Sequence, residues 1–171
     1  LTGTGLLMLP EMTIIPGGLN FTDSLFMSMS SVSVTGLTTV DLSQVMTFKG
    51  QLVILAMIKL GGLNTIAFGA LLLVAGSFGV GIKYHEVIED FVNRDSILDS
   101  NSMLAKIVLW SLGIEIIGTI LLYIGFGNKG IFADQSERLF QSVFHGISGF
   151  NNAGLSILPG GMMHPDVINN Y

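Results

Sequence analysis

The residues best suited to chemistry lie in two short runs and at two isolated charges. Ser33-Val34-Thr35-Gly36 and Asn151-Asn152-Ala153-Gly154 each end in glycine, and each is followed by leucine. Glycine reaches backbone dihedrals that other residues avoid, so such a run can turn successive carbonyls to one side. Carbonyls gathered on one axis can replace the hydration water of a cation. The isolated charges are Lys59, the only charge from Gln51 to Ile82, and Glu115, the only charge from Ile107 to Asn128. An ionisable side chain in such apolar company is expensive and is expected to face protein and be paired, here Lys59 with Glu115. No HExxH, nucleophile elbow or phosphate-binding loop occurs, so no covalent chemistry is expected.

The elements that must position these residues follow from hydropathy. The chain has 171 residues, of which 50% are hydrophobic and 11% charged, against about 25% charged in ordinary soluble domains. The apolar stretches around Lys59 and Glu115 each exceed the roughly 20 residues needed to cross a bilayer core. They predict two membrane helices, Thr47 to about Gly79 and Met103 to Phe126. Two shorter helices are expected at Phe21 to Val32 and Ser136 to about Gly149, with Ser136 as N-cap. A stretch this short cannot span, which makes each a re-entrant helix. Gly3 to Met12 reads as the tail of another helix, and Pro16-Gly17-Gly18 as a turn. The polar stretch Gly81 to Ser102 is a connecting loop whose first half has amphipathic character. The segment from Pro159 to Tyr171 reads as loop.

An internal repeat joins these pieces. A shift of 118 residues takes Ser24 to Ser142, Phe26 to Phe144, Ser30 to Ser148, Gly36 to Gly154 and Leu37 to Leu155. Both matches end in Gly-Leu directly after a short helix. Duplicated membrane units are a common way to build transport proteins. The C-terminal end of a re-entrant helix carries roughly half a negative charge, which favours a cation beside it. The expected fold class is therefore an all-α polytopic membrane protein of tandem helix–re-entrant pore loop–helix repeats. Residues 1–80 would form the end of the first repeat, 81–102 a connecting loop, and 103–171 a truncated second repeat.

Three segments carry a family resemblance. Ser31-Val32-Ser33-Val34-Thr35-Gly36-Leu37 resembles the first pore loop of the Trk/Ktr/HKT superfamily of potassium transporters. Phe144 to Ser156 resembles its second pore loop, and Ile58-Lys59-Leu60-Gly61-Gly62-Leu63 the glycine pair of the helix after the first loop. The resemblance implies four such repeats in one chain, whose loops form one filter for K+ in a multi-pass cell-membrane protein. Ser33, Val34, Thr35, Gly36, Asn151, Asn152, Ala153 and Gly154 would line two of its quarters. It also implies a homodimer with one pore per subunit, cytoplasmic nucleotide-binding regulatory subunits as partners, and residues 81–102 in the cytoplasm. Glycine at both filter positions favours K+, with Na+ as the alternative ion. Relatives usually carry an uncharged residue where Lys59 stands.

Plainer readings stand beside these. Gly36 and Gly154 also suit ordinary turns, though their shared register favours the filter. Asn151 and Asn152 also suit a helix end. Gly62, Gly69 and Gly76 recur every seven residues and read as a close-packing face. His145 reads as a packing histidine. Gly125-Phe126-Gly127-Asn128-Lys129-Gly130 matches a dinucleotide-binding glycine pattern but follows a membrane helix, not a strand. A net charge of −5 without basic runs excludes nucleic acid as a partner. The rival function is a non-conducting membrane scaffold with re-entrant hairpins. No covalently bound cofactor is expected, and lipid is the surrounding partner.

Overall fold

The computed structural model describes residues 1–76, 103–127 and 132–161. These form helices joined by turns and loops, with no strand among the described residues beyond one isolated antiparallel bridge, Thr13 to Met46. The predicted amphipathic segment within 81–102 lies outside the described residues, as does most of the stretch after Pro159.

Helix α1 spans Thr2–Leu7, and a separate 3-10 turn follows at Pro10–Met12. The segment Gly3 to Met12 is thus not one helix. Pro10 lacks the amide that would continue the ladder of α1. Helix α2 spans Phe21–Val32, α3 Leu42–Val45, α4 Phe48–Gly76, α5 Met103–Phe126 and α6 Gln135–Phe150. The one-turn helix α3 has no counterpart in the sequence reading. It is nucleated by Asp41, whose carboxylate accepts from the Ser43 amide (2.9 Å) and hydroxyl (2.6 Å).

Helix lengths sort these elements. At 1.5 Å per residue, the 12 residues of α2 extend about 18 Å and the 16 of α6 about 24 Å, both short of a ~30 Å hydrocarbon core. The 24 residues of α5 and the 29 of α4 exceed that length. Among the described residues one stretch, Lys106–Phe126, is both long and apolar enough to cross a membrane, with a mean hydropathy of 2.1. Its flanks are bare: Trp110 is 73% exposed and Leu109 70%.

The chain divides into two compact units, residues Leu1–Gly62 with Glu115–Tyr171, and Leu63–Ile114. The first contains Ser33 to Gly36 and Asn151 to Gly154 together with Lys59 and Glu115. Its core takes Leu7 from α1, Met27 from α2, Ile54 and Ile58 from α4 and Phe144 from α6, all inaccessible to solvent. Ala153, Leu155 and Ile157 belong to the same cluster, so the segment after α6 is packed as core and not as a surface loop.

The start of α6 differs in detail from expectation. Asp134, not Ser136, is the N-cap: its carboxylate accepts from the Glu137 amide (2.7 Å) and the Ser136 hydroxyl (2.6 Å). Glu137 reaches back to the Ala133 amide (2.7 Å), so the two acids satisfy donors the helix start would leave open. Further along, Arg138 donates to the Tyr123 carbonyl and lies 3.9 Å over the Tyr123 ring, tying α6 to α5.

Candidate functional site

Helices α2 and α6 end in the same way. After α2, the Val34 amide bonds to the Ser31 carbonyl (3.4 Å) and the Thr35 amide to the Ser30 carbonyl (3.0 Å). After α6, the Asn152 amide bonds to Gly149 (3.0 Å) and the Ala153 amide to Ser148 (2.8 Å). This pair of bonds, closed by one left-handed residue, is the Schellman motif. The left-handed residues are Val34 (φ 55°) and Asn152 (φ 60°), and each is followed two positions later by a left-handed glycine, Gly36 (φ 77°) and Gly154 (φ 67°). The Ser30 hydroxyl then donates to the Leu37 carbonyl and the Ser148 hydroxyl to the Leu155 carbonyl, both at 2.7 Å. Every one of these features repeats under the 118-residue shift.

Two of these features are absent from the sequence reading. Unusual dihedrals were expected of the glycines, yet Val34 and Asn152 share them. A β-branched residue favours extended backbone, which conceals the left-handed turn at Val34. Ser30 and Ser148 were visible as a matched pair, but their role as carbonyl clamps depends on where the chain goes after the glycine.

The two loops touch. A β-carbon on Gly36 would overlap the Ala153 carbonyl oxygen, whereas one on Gly154 would meet open space. A cavity of about 480 Å³ opens beside both, lined by Gly36, Thr38, Asp41, Gly154, Ser156 and neighbours. Thr35, Asn152 and Gly154 are exposed, Asn151 and Ala153 are buried, and Val34 and Gly36 are half-buried. Ser33 is exposed, and its hydroxyl bonds the Met29 carbonyl (2.7 Å) and the Thr35 hydroxyl (2.5 Å).

The second loop is held more firmly than the first. Gln141, His145 and Ser148 lie on one face of α6, at spacings of four and three. They hold three successive residues: Ser148 the Leu155 carbonyl, His145 Nε2 the Ser156 hydroxyl (2.8 Å), and Gln141 the Ile157 carbonyl (3.2 Å). His145 Nδ1 lies 2.7 Å from the Gln141 carbonyl, which can only accept, so Nδ1 carries the proton and Nε2 accepts from Ser156. His145 is thus a fully bonded structural residue. At the equivalent places in the first unit stand Asp23 and Met27, and only the serine clamp remains.

One turn of α4 underlies both helix ends. Gly61 faces the Val32 carbonyl and Gly62 the Asn151 side chain, each so closely that a β-carbon would overlap its neighbour. That is the physical reason for adjacent glycines here. Gly69 and Gly76, read as continuing this packing face, lie outside the residues whose surroundings are described. Lys59 Nζ lies 2.5 Å from Glu115 Oε2, and Glu115 Oε1 accepts from Asn151 Nδ2 (3.0 Å). Asn151 Nδ2 also donates to the Ile147 carbonyl (2.8 Å), which fixes the amide between α5 and α6. Glu115 is 4% exposed, so its charge is compensated inside the protein and not by solvent.

Both helix ends lie beside one cavity lined by Gly36 and Gly154, and residues 7–166 match the TrkH family, described as cation transport protein. The chain belongs to that family, which is one of transport proteins. It is 35% identical over 161 residues to Ktr system potassium uptake protein B of Bacillus subtilis, covering 94% of this chain and 35% of the relative. It is 31% identical to the protein of the same name from Vibrio alginolyticus, over 92% of this chain and 34% of the relative. Over its whole length it is 28% identical to the potassium/sodium uptake protein NtpJ of Enterococcus hirae, spanning 37% of it. The chain thus spans about a third of the length of these curated relatives.

Proposed function

We propose that this chain contributes two of the carbonyl-lined loops through which K+ crosses the cell membrane. The observation that carries the reading is the matched backbone of the loops, left-handed at Val34 and Gly36 and again at Asn152 and Gly154. In a regular extended strand successive residues point to opposite faces. Alternating the sign of φ instead lets neighbouring carbonyls share one side, which a dehydrated cation requires. The helix ends behind the loops add partial negative charge where the cation would sit. Ser33, Val34, Thr35 and Gly36 form one quarter of the filter, and Asn151, Asn152, Ala153 and Gly154 a second.

The architecture in this reading is a tandem repeat of helix, re-entrant pore loop and helix. Residues 1–80 end one repeat, 81–102 connect on the cytoplasmic side, and 103–171 begin the next, in a multi-pass protein surrounded by lipid. The relatives' names speak of a Ktr system, which fits nucleotide-binding regulatory subunits as partners of a homodimer. Na+ is the second reading for the permeant ion, favoured by the likeness to a protein named for potassium and sodium uptake.

The test is uptake of Rb+, a K+ surrogate, with competing Na+, in cells lacking their own K+ uptake and expressing the complete protein. The expected result is Rb+ uptake that Na+ inhibits weakly, with Gly36→Ser raising Na+ inhibition at equal membrane abundance. Equal inhibition in parent and variant would remove the filter assignment. Strong Na+ competition in the parent itself would favour the Na+ reading.

A further inference from the structure

Glu115 has two neighbours of different kinds. One carboxylate oxygen meets the Lys59 ammonium at 2.5 Å, and the other accepts from the Asn151 amide at 3.0 Å. Asn151 is the residue that closes α6, directly before left-handed Asn152. The charge pair is therefore one side chain away from the second loop. Gly62, one turn after Lys59 on α4, forms the floor against which the Asn151 side chain rests. The three side chains and the glycine belong to one compact unit.

We infer that Lys59 and Glu115 are a cation-affinity pair: Glu115 positions the second loop through Asn151, and Lys59 cancels the negative charge this places behind the loop. The inference rests on the filter reading above and deepens it. A carboxylate is a stronger acceptor for the Asn151 amide than a neutral group. Alone, however, it would add a full negative charge to a site where helix ends and carbonyls already attract cations. A cation held too strongly leaves slowly, and conduction requires binding weak enough for release. An ammonium bonded to the far oxygen keeps the strong acceptor and removes the net charge.

This arrangement makes a signed prediction that simple packing does not. Lys59→Gln leaves the carboxylate uncompensated, so the KM for Rb+ uptake falls. Glu115→Gln keeps an acceptor for Asn151 but removes the negative member of the pair, a change of one positive charge beside the loop, so the KM rises. A unit charge within about 10 Å of the site, at an effective dielectric near 20, gives changes of about tenfold in each direction. The double variant Lys59→Gln with Glu115→Gln returns the KM to within about threefold of the parent, since charges that cancel are removed together.

The experiment is Rb+ uptake kinetics of the complete protein in proteoliposomes, at matched amounts of protein, for the parent, both single variants and the double variant. Opposite shifts in the singles and recovery in the double variant are the expected result. Shifts of the same sign, or an unchanged KM in all three, would overturn the inference. If Glu115→Gln accumulates poorly, Lys59→Gln decides alone: a KM that does not fall overturns it. Gly154→Ser is assayed in parallel for Na+ competition. A changed Na+ competition there with flat KM values elsewhere sinks the charge pair and keeps the filter, whereas no effect of Gly154→Ser sinks the filter reading itself.

Discussion

At the residue scale, the two loop glycines, Gly36 and Gly154, are alike in conformation and unlike in surroundings. Both have positive φ, so any side chain there adopts a left-handed backbone at a cost of about 1–2 kcal/mol. At Gly154 that is the whole cost, because nothing lies near its missing β-carbon. At Gly36 the added carbon must also displace the Ala153 carbonyl of the other loop. Gly36→Ala is therefore expected to lower thermal stability more than Gly154→Ala, and to alter ion discrimination through both loops. Equal losses in a melting experiment with matched flux assays would contradict the contact between loops. Asn152 offers the converse case. Asparagine tolerates the left-handed region and valine does not, so Asn152→Gly should be close to neutral. Asn152→Val should cost about 1–2 kcal/mol, read as a lower Tm. Val34 already bears that cost in the first loop.

At the scale of elements, the serine clamps separate the loops. Ser148 is 2% exposed and bonds the carbonyl of Leu155, itself 2% exposed. Ser148→Ala strands that buried carbonyl, with an expected loss of about 1–3 kcal/mol. Ser30→Ala is milder, because Leu37 is 58% exposed and water can replace the lost donor. Chemical denaturation of the two variants tests the order. The start of α6 responds to pH. The Ser136 hydroxyl, and then the Glu137 amide, hold the Asp134 carboxyl below the usual carboxylate range. A depressed value in the folded state means that the cap stabilises above the unfolded carboxyl pKa of about 3.9. Its contribution fades as pH falls through the folded value. Amide exchange at Glu137 should therefore be protected at neutral pH and lose protection, relative to mid-helix amides, below about pH 4. A flat relative protection would mean that Asp134 is not the cap.

At the scale of the whole molecule, α5 presents large apolar side chains outward, with Trp110 73% and Ile124 68% exposed. Trp110 is the sole tryptophan of the chain. With any other tryptophans of the complete protein replaced, its fluorescence should be quenched by brominated phospholipids if lipid covers this face. Absence of quenching would mean that protein covers it instead.

The long apolar helices, the short helices before and after them and the register of Gly36 with Gly154 were legible in the sequence, because hydropathy and dihedral preference act over a few neighbouring residues. The pairing of Lys59 with Glu115 was an expectation drawn from the cost of isolated charge, but the residues are 56 positions apart and their distance depends on the path of α4 and α5. The bond from Asn151 to Glu115 spans 36 positions and left no sequence pattern at all. The left-handed turn at Val34 runs against its own preference, and the surrounding helix end and serine clamp hold it there. The reason for Gly61 and Gly62 emerged only when one turn of α4 was seen beneath both helix ends. Local preference chooses elements. Contacts between distant residues are decided by how those elements pack, and tertiary structure alone brings the two loops, the glycine pair and the buried charges together.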